Sequence, residues 1–177
     1  MKTKLLPAIL VLLALGTAAH AETGFQAGVT LDFLNYENAF IAPAFSVQPV
    51  IAKDMELDLG MAFGIYVLEG HPRFKVPLKV GFNFLFTVAP AISPILSIGV
   101  LPQIVWGETT FYQPTLFLIG PYIGGGIRFQ LHPLMSWFVD VQQTLLIGAP
   151  KWINTGTRIG TGMQFRLDAA APASAKE

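Results

Sequence analysis

The chain contains no cysteine. That absence excludes disulfide bonds, thiolate metal sites, a thiol nucleophile and a lipid-modified cysteine at an export-processing site. Charge is also scarce: 12% of the 177 residues are Asp, Glu, Lys or Arg, whereas 53% are apolar. A soluble domain carries about 25% charged residues, so this chain has too little charge to cover a water-facing surface. The formal net charge is zero, so nothing in the charge balance points to nucleic acid or another polyanion. No spacing of His, Asp and Glu suggests a metal site, and Gly124-Gly125-Gly126 lies inside a strand pattern instead of opening a helix. No cofactor is expected.

The N-terminus reads as a secretory signal over residues 1–21. Lys2 and Lys4 give a basic start, LLPAILVLLALG an apolar segment, and Ala19-His20-Ala21 a small-x-small processing site before Glu22. The apolar segment is short for a bilayer-spanning helix, so an exported mature chain is expected to begin at Glu22. His20 then leaves with the signal, and only His71 and His132 remain.

What is present is a two-residue period. In RFKVPLKVGFNFLF, residues 73–86, every second residue from Phe74 to Phe86 is apolar. The residues that alternate with them include Arg73, Lys75, Lys79 and Asn83. This is the pattern of a strand with one apolar and one mixed face. Eight segments share it: 24–34, 40–51, 55–68, 73–86, 94–106, 114–131, 135–148 and 156–167. No charged residue falls on the apolar face in any of them. The other face collects Thr, Gln, many glycines and nine charges: Asp32, Glu56, Asp58, Lys75, Lys79, Arg128, Asp140, Arg158 and Arg166.

A soluble sandwich turns its polar faces to water, and those faces would be richer in charge. A transmembrane barrel turns the apolar face to lipid and a polar, glycine-rich face inward. Strands of about 9–11 residues cross a bilayer when tilted, and only a closed sheet pairs every backbone group there. The expected fold is therefore all-β, an eight-stranded antiparallel up-and-down transmembrane β-barrel over residues 22–167. The links after segments two, four and six are tight turns; those after one, three, five and seven (NYENA, EGHP, GETTFYQ, APKWINT) are on average longer and more polar. Short periplasmic turns alternating with longer outer loops are usual in such barrels. A helical bundle is the competing membrane fold, because 80–107 and 109–127 carry no charge. Pro90, Pro94, Pro102, Pro114 and Pro121 interrupt both stretches.

Two segments carry a family resemblance. PYIGGGIRFQL (121–131), followed by a tight turn and MSWFVDVQ (135–142), resembles the glycine-rich strand of small outer-membrane barrels. TRIGTGMQFRL (157–167) resembles their closing strand. The chain is similar to the membrane domain of outer-membrane protein A and to opacity-type, porin-like proteins. The resemblance implies a Gram-negative outer-membrane location, outer-membrane lipids as surroundings and a monomer. It further implies recognition of the last strand by the barrel-assembly machinery. Residues 168–177, DAAAPASAKE, read as a disordered periplasmic tail.

Three sets of residues are candidates for function. The nine inward charges form a salt-bridged plug or, alternatively, the lining of a narrow channel or carrier for small solutes. The plug is favoured because buried charges must be paired and an eight-stranded lumen is filled by side chains. Arg128 and Asp140 are expected to pair across their hairpin. Tyr36, Trp106 and Trp152 near the loops, with Phe86, Phe129, Trp137 and Phe165 near the turns, are expected as interfacial anchors. Phe111 and Tyr112, in the longest loop, are candidates for surface contact. An enzyme is not expected: neither His71 nor His132 lies near a strand serine with an acid in reach.

Overall fold

The computed structural model describes residues 23–35, 38–68, 71–107, 115–148 and 152–167. The proposed signal and tail, and with them Tyr36, Phe111 and Tyr112, lie outside the described residues. Those residues form one antiparallel sheet and contain no helix, so the helical-bundle alternative fails.

Eleven strands make up the sheet: β1 (Thr23–Leu34), β2 (Asn38–Ala52), β3 (Met55–Ala62), β4 (Gly64–Leu68), β5 (His71–Leu85), β6 (Ile92–Val100), β7 (Gln103–Gly107), β8 (Thr115–Leu118), β9 (Pro121–His132), β10 (Met135–Ile147) and β11 (Ile153–Arg166). They combine into eight staves, because β3 and β4, β6 and β7, and β8 and β9 each continue one line of chain. Each stave pairs with the next, and the first pairs with the last, Phe25 facing Phe165 and Asp32 facing Arg158.

The ring is staggered. A pairing line that starts at Asp32 runs through Arg158, Gln142, Gly124, Ser97, Asn83 and Glu56 to Val50. Val50 adjoins Pro49, which faces Thr23. One circuit thus returns to β1 at the end opposite to where it began. Closing a sheet demands this tilt and shear.

Two of the three breaks that divide eight staves into eleven strands trace to proline, which has no N–H for the ladder. Phe63 donates to the carbonyl of Pro43 at 3.1 Å, Leu78 to that of Pro102 at 2.8 Å, and neither proline can reciprocate. Residues 119–120 lie between the line of Pro102 and Pro121. At one tight turn Asp54 takes a left-handed φ of 63°, a conformation Asp tolerates. Asn35 does the same with φ 52°, and its side chain bonds Asn154 and the amide of Thr155 at 3.0 and 3.1 Å.

The faces are inverted relative to a soluble protein. Val29, Phe45, Met61, Val80, Ile98, Ile123, Val141 and Ile159 are exposed on the outside, while Gln, Ser, Asn and charged residues are buried inside. The Phe face of residues 74–86 is the outer one: Phe82 is exposed and Lys75, Lys79 and Asn83 are buried.

Candidate functional site: the charged lumen

The strand period aims alternate side chains of every stave at one axis. Seven of the nine expected charges are buried there: Asp32, Glu56, Asp58, Lys75, Lys79, Arg128 and Arg158. Asp140 is partly buried. Arg166 is different. It is exposed at the short-turn rim, opposite Gly24 and beyond the last buried position, Gln164. Without it, the expected set is Asp32, Glu56, Asp58 and Asp140 against Lys75, Lys79, Arg128 and Arg158; Arg73, of the same parity as Lys75, is partly buried at the loop end.

Several contacts reach across the lumen between staves that are not neighbours. The Arg128 guanidinium on β9 donates two bonds to the Glu56 carboxylate on β3, at 2.9 and 2.8 Å. Lys75 Nζ on β5 lies 3.0 Å from Asp32 Oδ2 on β1 and 4.9 Å from the centre of the Phe40 ring. Asp32 is shared with Arg158, whose Nε is 3.5 Å from Oδ1. Lys79 Nζ lies 2.7 Å from Asp58 Oδ2. Asn83 also donates to Asp58, at 3.2 Å, and accepts from Ser97 at 2.7 Å. Towards the short-turn end, Ser46 donates to Gln26, Gln164 to Gln48, and Ser136 to Gln164.

The expected Arg128–Asp140 pair is corrected. The β9–β10 register sets Arg128 opposite Phe138, while Asp140 faces Gly126 and Gly160. The long guanidinium arm crosses the lumen to Glu56 instead, and Asp140 accepts from Gln142 at 2.6 Å. The acids Glu56 and Asp58, two apart on β3, are separated by this arrangement. Each takes its own cation.

Sequence reasoning missed a second layer. At the loop end of the same inner face, Leu34, Phe40, Leu101, Val105, Leu116, Leu118, Tyr122 and Leu146 pack into one buried cluster. Most continue the inward parity of the polar residues, so the alternation itself could have revealed them. The lumen is thus polar and charged below and apolar above.

Two small cavities lie between these side chains. One lumen cavity of about 20 Å³ lies among Thr30, Ser46, Lys79, Asp140 and Arg158. A second of about 20 Å³ lies among Asp32, Lys75, Gln103, Thr144 and Arg158. A single water needs roughly 10–15 Å³ of such space, so each cavity accepts about one.

The remaining candidates sit at the rims. Trp152 is 84% exposed at the loop end, where Trp106 stacks on Phe74 at 5.7 Å. Phe86, Trp137 and Phe165 are exposed near the short turns, and Phe129 stacks on Trp137 at 5.3 Å. The Trp137 indole donates to Thr161 at 2.9 Å. His132 is exposed in a turn, its ring accepting from the amide of Leu134 at 3.3 Å. Among the described residues no three His, Cys, Asp or Glu converge on a metal position.

No family model and no curated protein sequence matches the chain. Solved structures do. Neisserial surface protein A is similar over 82% of this chain and 96% of its own, with a TM-score of 0.68 at 9% identity. The N-terminal β-barrel domain of Pseudomonas aeruginosa OprF matches over 82% and 98%, with a TM-score of 0.58 at 15% identity. Ail, the attachment invasion locus protein of Yersinia pestis, matches over 82% and 99%, with a TM-score of 0.56 at 12% identity. The fold is that of small outer-membrane β-barrels.

Proposed function

We propose that the protein is an integral outer-membrane barrel of Gram-negative type, exported through the signal at residues 1–21. Its role is non-enzymatic, in envelope structure or surface interaction, and its lumen is closed. One observation carries the closed lumen: Arg128–Glu56 and Lys75–Asp32 bridge non-neighbouring staves. Such struts lie across any axial path. The water-sized cavities and the apolar layer above support the same reading. Membrane insertion is supported by the exposed aliphatic and aromatic belt, which water would not tolerate over so large an area.

The names of two similar structures, a surface protein and an attachment protein, suggest what the outer loops could do. Phe111 and Tyr112 are the residues there best suited to an apolar contact. A channel for small solutes is the competing role. Planar-bilayer recording from pure folded protein separates the two: the closed lumen gives no steps above baseline at moderate voltage. Steady, reproducible single-channel steps would overturn it.

A further inference from the structure

The short-turn rim is divided by chemistry. Staves eight, one, two and three end in Arg166, Lys53 and Asp54, all exposed. Staves four to seven end in residues 86–92 and 131–134, which contain no Lys, Arg, Asp or Glu. Exposed apolar side chains occupy those two turns: Val88 is 74% exposed, Leu131 59% and Leu134 41%. The two turns adjoin, since Gln130 donates to the carbonyl of Ala91 at 2.8 Å and Ile92 faces Phe129.

A water-facing rim gives no reason for this concentration, because loop turns are ordinarily polar. The patch is continuous with the outer belt through Phe86 and Ile92, both exposed on the same side. An apolar surface continuous with a lipid-facing wall, in which the exposed His132 is the one ionisable side chain of these two turns, calls for the same solvent.

We infer that the turns of staves four to seven are seated in the inner leaflet, at the boundary of headgroups and acyl chains. Only the opposite half of the rim, marked by Lys53 and Asp54, stands in the periplasm. The occupant of the patch is phospholipid. This rests on the membrane-barrel reading above, and the test separates the two.

The absence of cysteine makes single-site spin labelling direct. Labels are placed at Val88, Leu134, Lys53 and, as a mid-wall reference, the outward Val141, in the full chain folded in phospholipid bilayers. Collision with oxygen reports lipid, and collision with a water-soluble nickel chelate reports water. Labels at Val88, Leu134 and Val141 should favour oxygen several-fold over the Lys53 label, which should favour nickel. If Val88 and Leu134 meet nickel as freely as Lys53 while Val141 stays in lipid, the inference fails and the barrel stands. If Val141 also meets nickel, the barrel reading itself fails. Protection of Val88 and Leu134 from both reagents means that protein covers the patch, and it overturns the assignment to lipid.

Discussion

Arg128 shows what a single buried charge demands. Both terminal nitrogens of its guanidinium are spent on Glu56, and the pair is almost wholly removed from solvent. Truncating one partner strands the other, at a cost of about 3–5 kcal/mol, whereas replacing both with well-packed apolar groups is often neutral. Arg128→Ala should therefore lower the urea midpoint of the folded barrel strongly, and Glu56→Leu with Arg128→Met should recover most of the loss. Equal damage from the double variant would refute the strut. Gly81 makes the complementary point about space. A Cβ there would collide with Tyr122 Oη and the carbonyl of Ile98, while the tyrosine ring also lies over Gly99. Aromatic cover of strand glycines is a known device for holding sheets in register. Gly81→Ala should destabilise by about 1–3 kcal/mol, read from the same unfolding curve.

Prolines shape the staves. Pro102 accepts from Leu78 but returns nothing, so β6 and β7 separate at a point where the register itself never shifts. Pro102→Ala supplies the missing donor, aimed at the Leu78 carbonyl. The added bond contributes about 0.5–1.5 kcal/mol, and the looser unfolded chain takes back about 0.4–1 kcal/mol. The unfolding midpoint should barely move, yet amide 102 should become slow to exchange with deuterium. A fast amide in the variant would mean that something other than proline breaks the strand. The eight staves were legible in sequence because alternation survives these interruptions: Ile98, Val100 and Ile104 keep parity straight past Pro102. The break at Phe63 was not legible. Its cause, Pro43, lies on the neighbouring stave, and only the pairing register brings the two together. The same limit governed the charges. Parity showed that Arg128 points inward, but its partner depends on barrel curvature, which sets β3 across the lumen from β9. Arg166 failed for a simpler reason: parity says nothing about where the wall ends.

On the closed-lumen proposal, two barriers stand in series along the barrel axis. Below, charged and amide side chains bridge the staves; above, Phe40, Leu118 and Leu146 form part of an apolar layer. The sequence announced the first through its few charges, whereas the second is written in ordinary aliphatic residues that stand out only against a polar inner face. Two barriers in one axial path behave as resistances in series, so removing either leaves the other in control. Leu118→Ala with Leu146→Ala costs about 2–5 kcal/mol per site; it should weaken the barrel but leave bilayer conductance at baseline, because the Arg128–Glu56 and Lys75–Asp32 struts still cross beneath. The neutralised pairs Glu56→Gln with Arg128→Gln, and Asp32→Asn with Lys75→Gln, should likewise stay silent behind the apolar layer, where a narrow greasy constriction sheds water. Only the combination of both sets should give measurable steps, in material that still migrates as a folded barrel on unheated gels. Conductance from the apolar variant alone would show that the charged layer passes water and ions, and the polar half of the lumen would then be a vestibule with Leu118 and Leu146 as its gate.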